Sequence, residues 1–220
     1  MRNFYLSVFL IAVTTLSVSS SALAIEEVVY KRYPAESGII EYKISGDQTG
    51  QETVYFDHWG LREARYTETT GLGKENTAMV HTVIVMDGDW IYNFNVDTKM
   101  GSKIPNLWLR AVKASGKTGD LTSTYQDTLK SLGAMKSGTE TLLEKSCDIW
   151  VNPNLGSTAW IWASIPLKID YKTPALTIHI EATKLQENTP IADEKFQVPT
   201  DIKISEPSAA AKEALGVEKS

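Results

Sequence analysis

Gly38-Ile39-Ile40-Glu41-Tyr42-Lys43-Ile44-Ser45-Gly46, the turn cluster Gly46-Asp47-Gln48-Thr49-Gly50, then Glu52-Thr53-Val54-Tyr55-Phe56-Asp57: this stretch decides the fold class. Ile40, Tyr42 and Ile44 recur at every second position, as do Val54 and Phe56, and alternation of period two places each set on one face of a strand. The cluster between the two runs is rich in Gly and Asp, which supply the backbone freedom of a tight turn. Asp57-His58-Trp59-Gly60 reads as another turn, with Gly60 where positive φ is often required. Leu61 to Thr69 runs back as a charged strand. The three pieces form an antiparallel meander, and the charges of the third leave one face wet.

Working outward, Thr77 to Met86 is rich in Val, Ile and Thr and ends at Asp87-Gly88, a hairpin signal. Trp90, Tyr92, Phe94 and Val96 then form an aromatic stripe on one face of the next strand. The period changes between Pro105 and Gly133. Asn106 to Val112 reads as a short helix after Pro105. Asp120 caps a second helix, with Leu121, Tyr125, Leu129 and Leu132 along one side. The polar connector from Lys113 to Gly119 joins them, and the whole segment is expected to act as a mobile cover. Strand patterns resume at Thr139–Val151, Ser157–Ser164 and Ala175–Lys184, punctuated by Pro153, Pro166 and Pro174, and close with Ile202-Lys203-Ile204. The expected count is eight to eleven antiparallel strands, with two short helices inserted late in the sheet.

Before the strands, Met1-Arg2-Asn3 is a short positive start, and Phe4 to Val18 is an almost unbroken apolar run. Ala22-x-Ala24 has the small-residue pattern of a cleavage site. The run, about 15 residues, is shorter than the roughly 20 a spanning helix needs, so we read residues 1–24 as a signal peptide and expect no stable membrane span. Residues 25–204 then make one domain that opens with a polar leader, Ile25 to Glu36. Residues 205–220 make a tail. The expected location is the periplasm.

Composition narrows the function classes. Hydrophobic residues make up 42% of the chain, and Asp plus Glu (27) exceed Lys plus Arg (22), giving a net charge of −5. That balance argues against nucleic-acid binding, which leaves a dense basic patch. One cysteine, Cys147, excludes a disulfide framework and a Cys-based zinc site. His58, His81 and His179 are far apart in sequence, with no HExxH arrangement. There is no GxSxG elbow, and Gly71-Leu72-Gly73-Lys74 lacks phosphate-loop spacing, so it reads as a loop tip. Cys147 reads as a small buried hydrophobe. Neither catalytic residues, a metal nor a cofactor is expected. Trp160-Ile161-Trp162 sets two indoles on one strand face, as core packing or as the wall of an apolar pocket.

Gly38-Ile39-Ile40-Glu41-Tyr42-Lys43-Ile44-Ser45-Gly46, Gly50-x-Glu52-Thr53-Val54-Tyr55-Phe56-Asp57-x-x-Gly60-x-Arg62-Glu63-Ala64, Cys147-Asp148-Ile149-Trp150, Trp160-Ile161-Trp162-x-x-Ile165-Pro166-Leu167-Lys168 and Phe196-x-Val198-Pro199-x-Asp201-Ile202-Lys203-Ile204 together resemble a family of bacterial exported proteins of unknown function. That family is similar in architecture to the LolA/LolB lipoprotein-localisation fold. The resemblance implies an α+β, mostly β, unclosed antiparallel half-barrel wrapped over short helices, with a concave apolar cavity for acyl chains. No functional residue of LolA matches a position here, so none is carried over, and the lipid-anchoring Cys of a LolB-type acceptor is missing. The expected function is that of a periplasmic carrier for a lipid, acylated or other hydrophobic ligand. Its trough would be lined by Ile40, Tyr42, Val54, Phe56, Trp90, Tyr92, Phe94, Trp160, Trp162, Ile178 and Ile180, and lidded by Trp108 and Leu109. The alternative is an envelope protein–protein interaction or stress-sensing module, whose sheet face would be filled by its own side chains.

Overall fold

A computed structural model describes residues 29–70 and 78–207. The signal-peptide reading, the Gly71–Lys74 tip and most of the expected tail lie outside these residues. Six strands follow one another in a first antiparallel meander: β2 (Gly38–Gly46), β3 (Gly50–Asp57), β4 (Arg62–Thr70), β5 (Met79–Asp87), β6 (Trp90–Asn95) and β7 (Met100–Pro105). A second meander comprises β9 (Met135–Leu142), β10 (Lys145–Asn152), β11 (Ser157–Trp162), β12 (Ile165–Lys172) and β13 (Thr177–Glu187). The two join where β13 pairs antiparallel with β2, and β14 (Lys203–Ser205) adds a parallel edge beside β7. The result is a 12-stranded sheet in the order β14-β7-β6-β5-β4-β3-β2-β13-β12-β11-β10-β9. It is an unclosed half-barrel, mostly β, as expected from the sequence.

Between the meanders lie α1 (Leu107–Ser115), β8 (Gly119–Asp120) and α2 (Thr122–Ser131). This connection must run from β7, beside one edge, to β9 at the other, and the direct path crosses the mouth of the half-barrel. The two helices start differently. The Asn106 side chain accepts from the Leu109 amide (3.1 Å) as an N-cap, whereas the N-cap of α2 is Leu121, with no side-chain bond. Asp120, expected as the cap, lies one residue earlier and accepts from the Thr122 amide (2.9 Å). Tyr125 and Leu129 of α2 pack against Trp150, Ala159 and Ile161. Register carries that face from Trp150 through Ala159, Ile169, Ile180 and Ile44, the last sharing its side of β2 with Tyr42 and Ile40. α2 therefore covers the face that bears Ile40 and Tyr42, which we call concave.

Several sequence expectations change. The polar leader is a structural element: Tyr30–Lys31 is β1, paired in parallel with β8, and Tyr33 and Ala35 are buried in the first core. Tyr33 and Ala35 alternate over two positions only, beside Lys31, Arg32 and Glu36, too short a run to show a period. Thr139–Val151 is a hairpin, not one strand. It turns at Leu143 and Glu144, both at positive φ (48° and 62°) without the Gly or Asn that usually marks such a turn. β7 and β12 were not read as strands. In β12, Pro166 stands where the register with β11 shifts, the irregularity that lets a sheet accept proline. The third strand is dry on both faces near its start, where Glu63 is 2% exposed and its neighbour Ala64 fully buried, while Glu68 further along is exposed.

There are two main cores. One gathers Tyr33, Ile40, Tyr42, Val54, Phe56, Ile165 and Leu167. The other lies on the convex face, where Phe196 and Ile202 from the closing segment cover Ala64, Val83, Val85 and Phe94.

Candidate ligand-binding site

Strand pairing defines rows across the concave face. One runs Phe56–Glu63–Met86–Ile91–Ile104, the next Val54–Arg65–Ile84–Asn93–Ser102. Along each row the environment changes from closed to open. Phe56 and Val54 are fully buried, whereas Ile84 is 36% and Ile104 50% exposed, and Met100 nearby on β7 is 52% exposed. One half of the concavity is thus packed by the chain's own side chains. The other, over β5, β6 and β7, presents an apolar strip with solvent access. Leu107, at the start of α1, is also exposed beyond its end.

A charged node separates the halves. Arg65 donates from Nε to Glu63 (2.7 Å) and from a terminal nitrogen to Glu52 (2.9 Å), which also accepts from Thr67 (2.8 Å). Glu63 accepts from the Tyr33 hydroxyl and, at 3.4 Å, from Arg32. Burial by itself would raise the Glu63 carboxyl, but Arg65 and Arg32 beside it, with the Tyr33 and Arg65 hydrogen bonds, hold it down at about 2. Burial drives the Tyr33 and Tyr42 hydroxyls upward, and Tyr42 donates to the Pro166 carbonyl (2.8 Å). Arg32 also reaches the Met86 sulfur (3.7 Å), so the node touches the apolar strip.

The structure divides the sequence-derived site residues. Tyr42 and Phe56, with Ile40 and Val54, form the packed half, and Ile180 lies against it. Trp90, Tyr92 and Phe94 point the other way. They pair with Asp87, Val85 and Val83, which share their side of the sheet with Ala64 and not with Glu63. The single trough face expected from the sequence is therefore corrected. The alternation was right within each strand, but the register between β4 and β5 sets which parity faces inward. Phe94 enters the convex core, and Lys103 sits over the Trp90 ring at 4.1 Å. Trp160 and Trp162 pack half-buried at the border of the first core, with Lys168 (4.4 Å) and Lys145 (4.2 Å) over their rings. Trp160 donates to Glu140 (2.5 Å). Trp108 stands at the start of α1 beside Arg32, and Leu109 is 2% exposed.

Sequence reading missed Ile84, Met86, Ile91, Met100 and Ile104, and also the node. Ile84 and Met86 alternate visibly with Val83 and Val85. The missing signal was again the inward parity, and β7 was not recognised as a strand. The three histidines each lie beside an aspartate, His58 by Asp57 (2.9 Å), His81 by Asp97 (2.9 Å) and His179 by Asp170 (2.8 Å), on different elements. Cys147 is fully buried, and burial pushes its thiol up.

No family model matches the chain, and no curated protein matches it. Solved structures do. An uncharacterised conserved protein from Thermus thermophilus is similar with a TM-score of 0.48 and 10% identity, over 78% of this chain and 91% of that one. MucB of Pseudomonas aeruginosa, in a complex with MucA, is similar with a TM-score of 0.39 and 11% identity over 77% of this chain, which spans 58% of that one. An outer membrane lipoprotein-sorting protein domain from Vibrio parahaemolyticus is similar with a TM-score of 0.33 and 8% identity, over 75% and 91% of the two chains. One of these similar structures bears the lipoprotein-sorting description that the sequence resemblance names.

Proposed function

We propose that the protein is a periplasmic carrier that holds the acyl chain of a lipid-like ligand against the open half of the concave face, beneath the α1–α2 connection. The observation that carries this reading is the apolar strip Ile84–Met86–Ile91–Ile104, left accessible on a face whose other half is closed. A methylene buried there contributes about 0.8 kcal/mol, so a chain spanning the strip outweighs the cost of ordering it. Trp108 and Leu109 belong to the cover, and Tyr42 and Phe56 to the packed wall that ends the trough. The signal-like first 24 residues support the periplasmic location.

The test is purification of the exported protein followed by native mass spectrometry and organic extraction, with titration by a fluorescent fatty acid. The expected result is co-purifying lipid, and binding that Ile104→Asp weakens at least tenfold, since that change sets a charge where the chain would lie. Because Ile104 is half exposed, stability should move by no more than about 0.5 kcal/mol. Absence of lipid together with no fatty-acid binding overturns the reading.

A second reading, an envelope protein–protein module, is favoured by β9, which ends the sheet and is exposed along nearly all its length. Such an edge can accept a partner's strand. A stoichiometric protein recovered from envelope extracts, with no lipid, would support it.

A further inference from the structure

The node beside the apolar strip is unevenly paired. Arg65 holds both carboxylates at short range, 2.7 Å to Glu63 and 2.9 Å to Glu52. Among the described residues Arg32 stacks on the Tyr33 ring (4.7 Å), and its hydrogen bonds reach the far side of the already shared Glu63 at 3.4 Å, the Gly60 carbonyl at 3.4 Å and the Met86 sulfur at 3.7 Å, all from one terminal nitrogen. Its Nε and second terminal nitrogen donate to no protein group among the described residues, and 15% of its side chain remains exposed. The guanidinium lies 5.8 Å from the centre of the Trp108 ring, whose Nε1 is buried with no hydrogen-bond partner among the described residues. An unmet buried donor is costly, and one in a native fold calls for a partner such as a water or a ligand. Trp108 is also the second residue of α1, the end of the helix where the macrodipole favours negative charge. Arg32 stands at the Met86 end of the strip, and Ile104, at its other end, leads through Pro105 and Asn106 to Trp108 at the helix start.

We propose that Arg32 and the Trp108 indole N–H form a head-group subsite for an anion, so that the ligand is an anionic amphiphile whose carboxylate or phosphate accepts from both while its chain follows Met86, Ile91 and Ile104. This inference rests on the carrier reading above and names the chemistry of its ligand. Arg32 supplies the charge and a planar pair of donors suited to two oxygens, and Trp108 adds a neutral donor. Glu63 holds Arg32 in place without neutralising it fully, because Arg65 and Tyr33 claim the same carboxylate.

The test is isothermal titration of the full-length mature protein with four probes of one chain length: dodecanoate, dodecyl phosphate, dodecanol and dodecyltrimethylammonium. The expected result is that at least one anion binds about tenfold or more tighter than dodecanol, the size of a charge-assisted hydrogen-bond pair, and that the cation binds weakest. Comparison of dodecanoate with dodecyl phosphate assigns the head to a carboxylate or a phosphate. In Arg32→Gln the ratio of anion to alcohol affinity should fall below about threefold. Trp108→Phe keeps the ring and removes only the N–H, and should lower the same ratio; it carries the test alone if Arg32→Gln does not fold. Equal binding of all four probes, or a ratio unchanged in both variants, overturns the anion subsite and leaves the carrier reading standing. No binding by any probe overturns both.

Discussion

At the scale of single residues, the buried carboxylate of Glu63 has the largest consequences. Truncating it, as in Glu63→Ala, leaves Arg32 and Arg65 close together without the charge they share. Removing one partner of a buried pair typically costs about 3–5 kcal/mol. Urea denaturation at neutral pH should show a loss of that size, and an unchanged midpoint would mean the node is solvated. The same group gives the protein an acid limit. The unfolded carboxyl titrates near 4.5 and the folded one at about 2, so the unfolded chain binds more protons between those values. The stabilisation is complete above pH 4.5 and is lost as the pH falls through about 2. Denaturation midpoints across this window should slope in the wild type and flatten in Glu63→Gln. Gly60 makes a different demand. Its φ is +78°, and a Cβ there would lie 2.3 Å from the Tyr33 ring. Gly60→Ala should therefore cost at least about 1–3 kcal/mol, measured by the same denaturation, because it strains the turn and displaces the tyrosine that bonds Glu63.

At the scale of elements, the two helices differ. Leu109 and Val112 of α1 are 2% exposed, whereas α2 contains no fully buried residue and leans on its half-buried Tyr125 and Leu129. Few buried contacts mean a low opening free energy, so amides of α2 should exchange with solvent faster than those of Val83 to Val85 in β5. Exchange should slow in both helices on adding a bound amphiphile. Equal protection throughout would remove the idea of a movable cover. The closing segment is anchored instead. Phe196 is 5% exposed, with Arg62 stacked 4.2 Å from its ring centre, and Phe196→Ala should destabilise by about 3–5 kcal/mol through the cavity it leaves. Elements like these also show what a sequence can reveal. The alternation in β2, β3 and β6 and the change to helical spacing after Pro105 were legible because each is written within one short window. β7 was not, because Met100-Gly101-Ser102-Lys103-Ile104-Pro105 has too few apolar residues to alternate, and its pairing with β6 is what makes it a strand. The candidate site was hidden for a related reason. Ile84 and Ile104 belong to one strip only once two strand registers are known, and Arg32 meets Glu63 only because the leader folds back over β4.

At the scale of the whole molecule, every neighbouring strand pair within a meander is close in sequence, and the pairing of β2 with β13 is not. Non-local pairing of this kind is slow because the loop between the partners must close before contacts compensate for the lost entropy. Formation of this junction should therefore limit the rate of refolding. A substitution on the seam that weakens it, such as Ala182→Gly, should slow refolding more than one of equal cost within the first meander, such as Val83→Ala, in stopped-flow measurements. The same seam has a consequence for a chain emerging from its N-terminus. The first meander is complete in sequence at Pro105, yet the hydrogen-bonding edge of β2 stays bare until β13 has been made, and a bare edge of alternating Ile and Tyr invites pairing with another chain. Nascent chains that stop between Gly116 and Pro174 should therefore aggregate unless a chaperone covers β2. A finished molecule cut once at Lys117, in an exposed connection, should instead stay together as two fragments laced along β2 and β13. The protein is most vulnerable when half made and forgiving of a later break.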